Sequence, residues 1–157
     1  MTHLLILIAI AGMLLAAPQH THPADRAQQT MGFDQHKTTH HFLLEAGGGT
    51  IEVTANDADD RASLEQIRMH LRHIASAFQE GNFEAPFLVH GMNPPGVDVL
   101  KDRRASMTYR FEEVPKGAKV VMRTADAAAK AALHDFLRFQ IREHRTGDPL
   151  KPTGDAK

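Results

Sequence analysis

Cysteine and tryptophan are both missing from this chain of 157 residues. Without cysteine no disulfide can staple the fold, and thiolate nucleophiles and thiolate metal ligands are excluded. Surplus charge is missing too. Eighteen Lys and Arg stand against nineteen Asp and Glu, a net charge of −1 with a pI near 6.8. No footprint for nucleic acid or for an anionic membrane surface follows from that balance. The N-terminal apolar run, Leu4 to Ala17, falls short of the roughly 20 residues that a membrane span needs. It suits a signal-peptide core ending in small residues, so residues 1–17 are expected to be a leader cut after Ala17 and the remainder to be exported, periplasmic or secreted. Retention of that segment as an anchor is the rival, and the only membrane contact the sequence suggests.

Catalytic signatures are equally scarce. Ser63, Ser76 and Ser106 sit in no G-x-S-x-G context. Gly47-Gly48-Gly49 joins two strand-like runs instead of leading from a strand into a helix, so it is not a phosphate loop. Glu80, Glu84, Glu112 and Glu113 read as solvated carboxylates, and there is no H-E-x-x-H.

What the chain has in excess is histidine, eleven in all. His20 and His22 fall in the polar stretch 18–37, which lacks apolar periodicity and reads as a flexible N-terminal segment. Thr38 to Ala55 alternates as a hairpin. With Ala46 to Gly49 as a four-residue loop, Leu44 faces Ile51, Phe42 faces Val53 and His40 faces Ala55. His40 then shares the apolar face while His41 points away with Leu43. Leu64, Ile67, Leu71, Ile74 and Phe78 recur at helical spacing between an Asp59 or Asp60 N-cap and a Gly81 stop. His70 lies beside that stripe and His73 one step further round, a pair at i and i+3 that can address one spot. Phe87-Leu88-Val89 reads as a short strand or packed loop followed by His90, and Pro94-Pro95-Gly96 ends regular structure. Ser106 to Thr124 repeats the hairpin around V-P-K-G, pairing Phe111 with Val120 and Tyr109 with Met122. Ala125 to Arg145 is a second helix with Ala132, Leu133, Phe136, Leu137 and Ile141 on its apolar face. Gln140 and His144 share that face. His134 falls off it and reads as a surface residue, and His144 is favoured by the helix dipole whether or not it binds anything.

The order hairpin, helix, connector, hairpin, helix predicts an α+β domain over 38–148. It is a ββα-ββα pseudo-duplication of about 60 residues per unit, detectable in pattern and not in identity. A four-stranded antiparallel sheet would carry both helices on its apolar face, and 149–157 would be a polar tail.

The chemistry expected of it is transition-metal binding, copper or zinc, through His40, His41, His70, His73 and His90, for metal handling or sensing without turnover. Met69 and Met92 are adjacent soft donors. Two other classes stay open: a structural or protein-interaction module with incidental histidines, and a hydrolase or a binder of haem or another hydrophobic ligand around Phe136, Leu137 and Phe139.

MGFDQHKTTHHF at 31–42, H-x-x-H-I-A in the first helix, APFLVHG with its following PPG, and HDFLRFQIREHRTGD at 134–148 together resemble a family of small exported bacterial proteins of uncharacterised function. The likeness spans residues 31 to 148 and implies an exported domain without supplying a reaction. Members of that family sometimes carry the label aspartate carbamoyltransferase. This chain gives that label no support, being too short for two α/β domains and lacking a phosphate-binding loop.

Overall fold

The structure, a computed structural model, describes residues 31–153. The expected leader and the His20–His22 pair lie outside these residues. Four strands, β1 (Thr38–Glu45), β2 (Gly48–Ala55), β3 (Met107–Val114) and β4 (Gly117–Thr124), form one antiparallel sheet in the order β1-β2-β4-β3. The two hairpins are therefore joined through their second strands. Helix α1 (Arg61–Gln79) follows the first hairpin and α4 (Ala127–His144) the second. Both pack on the same face of the sheet, in the α+β, ββα-ββα arrangement that the pattern predicts. Among the described residues no helix is long and apolar enough to cross a membrane.

Phe42, Ile51, Val120 and Phe111 lie side by side across the four strands, the apolar row of the face that the helices cover. Against it α1 buries the whole stripe from Leu64 to Phe78, and Asp60 caps the helix by accepting from the Ser63 amide at 3.0 Å. In α4, Asp126 is the N-cap, and Ala132, Leu133, Phe136, Leu137 and Ile141 are buried as their spacing requires.

The second hairpin has the expected register. The first does not: Leu44 pairs with Gly49, Phe42 with Ile51 and His40 with Val53, two residues off the four-residue-loop reading, because the turn is only Ala46-Gly47. Gly48 and Gly49 belong to the strand for a non-local reason. A Cβ on Gly48 would sit 2.0 Å from the Met122 carbonyl oxygen, and one on Gly49 would sit 2.3 Å from Leu137 of α4. A shift of two preserves the faces, so His40 stays on the apolar side.

The connector is more ordered than its composition suggests. Phe87-Leu88-Val89 lies within a short helix, α2 (Glu84–His90), with Pro86 tolerated in its first turn. Immediately after Pro94-Pro95-Gly96 comes another, α3 (Val97–Asp102). Gly96 has φ +84°, and a Cβ there would lie 2.1 Å from the Ala132 carbonyl, so α3 seats against the backbone of α4. Packed structure also begins earlier than Thr38, since Met31 and Phe33 are in the core. It continues past Asp148: the Thr153 amide donates to the Leu44 carbonyl at 2.9 Å along the free edge of β1.

Candidate functional site

Between α1, α2, the end of α4 and the outer end of β1 lies a cavity of about 70 Å³. Four imidazoles line it, one from each element: His40 from β1, His70 from α1, His90 from the end of α2 and His144 from the end of α4. The rest of the lining is apolar or aromatic apart from Gln140, and it contains no Asp, Glu, Lys or Arg.

The ring of His144 is the hub. Its centroid lies 5.5 Å from that of His40, 5.3 Å from His90 and 5.2 Å from Phe42. Phe33 stands 5.8 Å from His40 and 5.6 Å from His70, linking the fourth imidazole to the group. Burial holds three of these rings neutral. It lowers His40 to about 4, with the neighbouring His41 a lesser contribution. It lowers His70 to about 4, helped by His73 and His40, and His144 to about 3, helped by His40 and His90.

The polar atoms are not all satisfied. His90 Nε2 pairs with Gln140 Oε1 at 2.9 Å. His40 Nε2 and Gln140 Nε2 are enclosed with no hydrogen-bond partner. Buried polar groups of native proteins are nearly always paired, so two orphans beside one cavity mark a place where a ligand can supply what the protein does not.

Of the histidines expected to be ligands, His40, His70 and His90 are thus brought together. His41 and His73 are not. His41 Nδ1 lies 2.8 Å from Asp148 Oδ1, on the other side of β1. Asp148 also accepts from the Phe42 amide at 2.9 Å and the Thr146 hydroxyl at 2.6 Å. Burial by itself would raise the Asp148 carboxyl, but these donors outweigh it and hold the group below the usual carboxylate range. The result is a clasp that ties the turn after α4, and with it His144, to the edge of β1. His73 is exposed and faces an outer groove of about 310 Å³, of which His70 and Ala85 are also walls.

Two residues carry more than their sequence suggests. His144 has a sufficient local explanation as a cation at a helix C-terminus, yet it stands half-buried at the centre of the cluster. His134 is buried instead of lying on the surface. Its Nε2 is 2.9 Å from the Gly48 carbonyl and 3.1 Å from that of Glu45, which pins the first hairpin to α4. The only local signal for either is position on or next to the apolar face of α4; their partners are remote in sequence.

Among the described residues no three or more His, Asp or Glu side chains are already disposed around one metal position. Comparisons of the chain with protein-family models, with curated proteins and with solved structures gave no match.

Proposed function

We propose that this protein binds a transition-metal ion in the imidazole-lined cavity, through His40, His90 and His144 with His70 at its wall, and handles or senses that metal without turning over a substrate. The observation that carries the reading is the enclosed, unpartnered Nε2 of His40 within a cluster of four imidazoles. Ring spacing supports it. Two imidazoles sharing one ion at nitrogen–metal distances of about 2.0–2.1 Å have centroids roughly 5 Å apart, and His144 stands 5.5 Å and 5.3 Å from His40 and His90. Rotamer changes would then suffice to turn the nitrogens inward. The neutral rings of His40, His70 and His144 each keep one unprotonated nitrogen, so none of these three need lose a proton before a metal binds. The leader-like run at residues 4–17 supports placing this activity outside the cytoplasm.

Titration calorimetry with Zn(II), Cu(II) and Ni(II), and with Cu(I) under anaerobic conditions, tests the reading. Binding of at least one ion tighter than about 10 μM is expected. His40→Phe or His144→Phe should weaken it by more than about a hundred-fold, since even outer partners of metal ligands cost 10- to 100-fold. His73→Ala should leave it unchanged. Failure of every ion to bind would refute the assignment.

A second reading is favoured by the other orphan, Gln140 Nε2, a donor facing a largely apolar lining. A small neutral ligand with one acceptor group would satisfy it. Porphyrin-sized ligands do not fit about 70 Å³. Displacement of bound metal by such a ligand would separate the two.

A further inference from the structure

The lining of the cavity bears on which metal it would take, and this step rests on the metal-binding reading above. The donors available are four imidazoles, the amide of Gln140 and the thioether of Met31, all uncharged, and the remaining wall is hydrocarbon and aromatic ring. No carboxylate lies in the wall and the chain has no thiolate to offer. Desolvating an ion costs free energy in proportion to the square of its charge, so a divalent cation loses about four times what a monovalent one loses on leaving water. Zinc and copper(II) sites offset that loss with thiolate or carboxylate donors, or with water in an open position. This cavity supplies no negative charge.

Geometry agrees with charge. Zn(II) takes four ligands in structural sites and three with water in catalytic ones. His144 and its two neighbours, His40 and His90, make three neutral imidazoles, and the same lining adds the soft thioether of Met31 and no carboxylate. Two or three soft, neutral donors are what a d¹⁰ monovalent cation accepts, and thioether ligands select Cu(I). Two further methionines stand in solvent next to cluster histidines in sequence: Met69, 67% exposed, precedes His70, and Met92, 50% exposed, follows His90 by two positions. Both place soft sulfur on the outer parts of α1 and the turn after α2.

We propose that the cavity is a site for a soft monovalent cation, Cu(I), held by His40, His144 and His90 with Met31 beside them, in preference to Zn(II) or Cu(II).

The test uses the full chain under anaerobic conditions. Cu(I) affinity is measured by competition with bathocuproine disulfonate, Zn(II) affinity with a chromophoric zinc indicator, and Cu(II) affinity by competition with glycine. Ag(I) serves as a redox-inert monovalent probe. The expected result is one Cu(I) per chain, held more than about a hundred-fold tighter than Zn(II) or Cu(II), with Ag(I) displacing it. The His40→Phe and His144→Phe variants, which keep the aromatic packing, should each lose Cu(I) while keeping their far-UV circular dichroism. Tighter binding of Zn(II) or Cu(II) than of Cu(I) would overturn the proposal and leave the metal reading standing. Undiminished Cu(I) binding in both folded variants would overturn it by placing the ion elsewhere. No binding of any ion would remove both.

Discussion

His40 occupies a position that stability alone does not justify. Its ring stacks among Phe33, Phe42 and His144, so its apolar surface is well placed, but its Nε2 is enclosed without a partner. Leaving a buried polar atom unsatisfied costs about 1–3 kcal/mol. Phenylalanine in its place keeps the stack and removes the orphan, so the metal-free His40→Phe protein should be as stable as the parent or more stable by up to about 2 kcal/mol. Leu71→Ala, from the same cavity wall, should cost about 2–5 kcal/mol. Urea denaturation of both variants checks the contrast, and a His40→Phe protein destabilised as strongly as Leu71→Ala would make His40 a packing residue. Strand alternation was enough to put His40 on the apolar face, and helical spacing enough to put His70 beside the α1 stripe. Convergence of the two with His90 and His144 was not legible, because each ring comes from a different element and no sequence interval encodes their meeting.

The first hairpin shows why local pattern places an element without fixing its ends. Gly47-Gly48-Gly49 has the composition of a loop, and nothing nearby in sequence contradicts that. Only when β4 and α4 close over the strand does the lack of side chains at Gly48 and Gly49 become a requirement. The short helices α2 and α3 escape detection likewise, since seven and six residues hold too little periodicity to register. The edge of β1 is a similar case. Its Phe42 amide and Leu44 carbonyl, which face away from β2, are met by Asp148 and Thr153 from beyond α4, which leaves less of the strand free to pair with another chain. Asp148→Ala removes the acceptor for the Phe42 amide, His41 and Thr146 together. A loss of about 1–3 kcal/mol in urea denaturation is expected from breaking such a part-buried set of charge-assisted bonds. Because the clasp holds the end of α4, Cu(I) should also bind more weakly to this variant even though Asp148 itself does not line the cavity. An unchanged affinity would show that His144 keeps its place without the clasp.

Taken whole, the domain has no covalent staple and carries a net charge of −1 at neutral pH, and its response to mild acid, above the carboxylate range, is governed by the half-buried imidazoles. In the fold His40 and His70 take a proton only near pH 4 and His144 near 3, against 6.5 for a free histidine. Between those limits the unfolded chain holds more protons than the folded one, so stability rises with pH there and falls as pH drops. The contribution is fully present above about pH 6.5 and is lost progressively down to about pH 4 and below. Nearby titratable groups are His41 with its Asp148 partner, His73 and His90, and none places a carboxylate in the cavity wall to stabilise an imidazolium. Three protons titrating together give a slope approaching about 4 kcal/mol per pH unit at its steepest. A small domain has only about 5–15 kcal/mol to lose. The metal-free protein should therefore unfold cooperatively in mild acid, around pH 5, with the urea midpoint already falling at pH 6. The His40→Phe, His144→Phe double variant has two of the three groups removed, and its stability should depend on pH with roughly a third of the parent slope. Equal slopes in the two proteins, measured by urea denaturation from about pH 7.5 to 4.5, would mean that the imidazoles are reached by water and protonate in place. In that case the cavity would not be the uncharged, poorly hydrated site on which the preference for a monovalent ion depends.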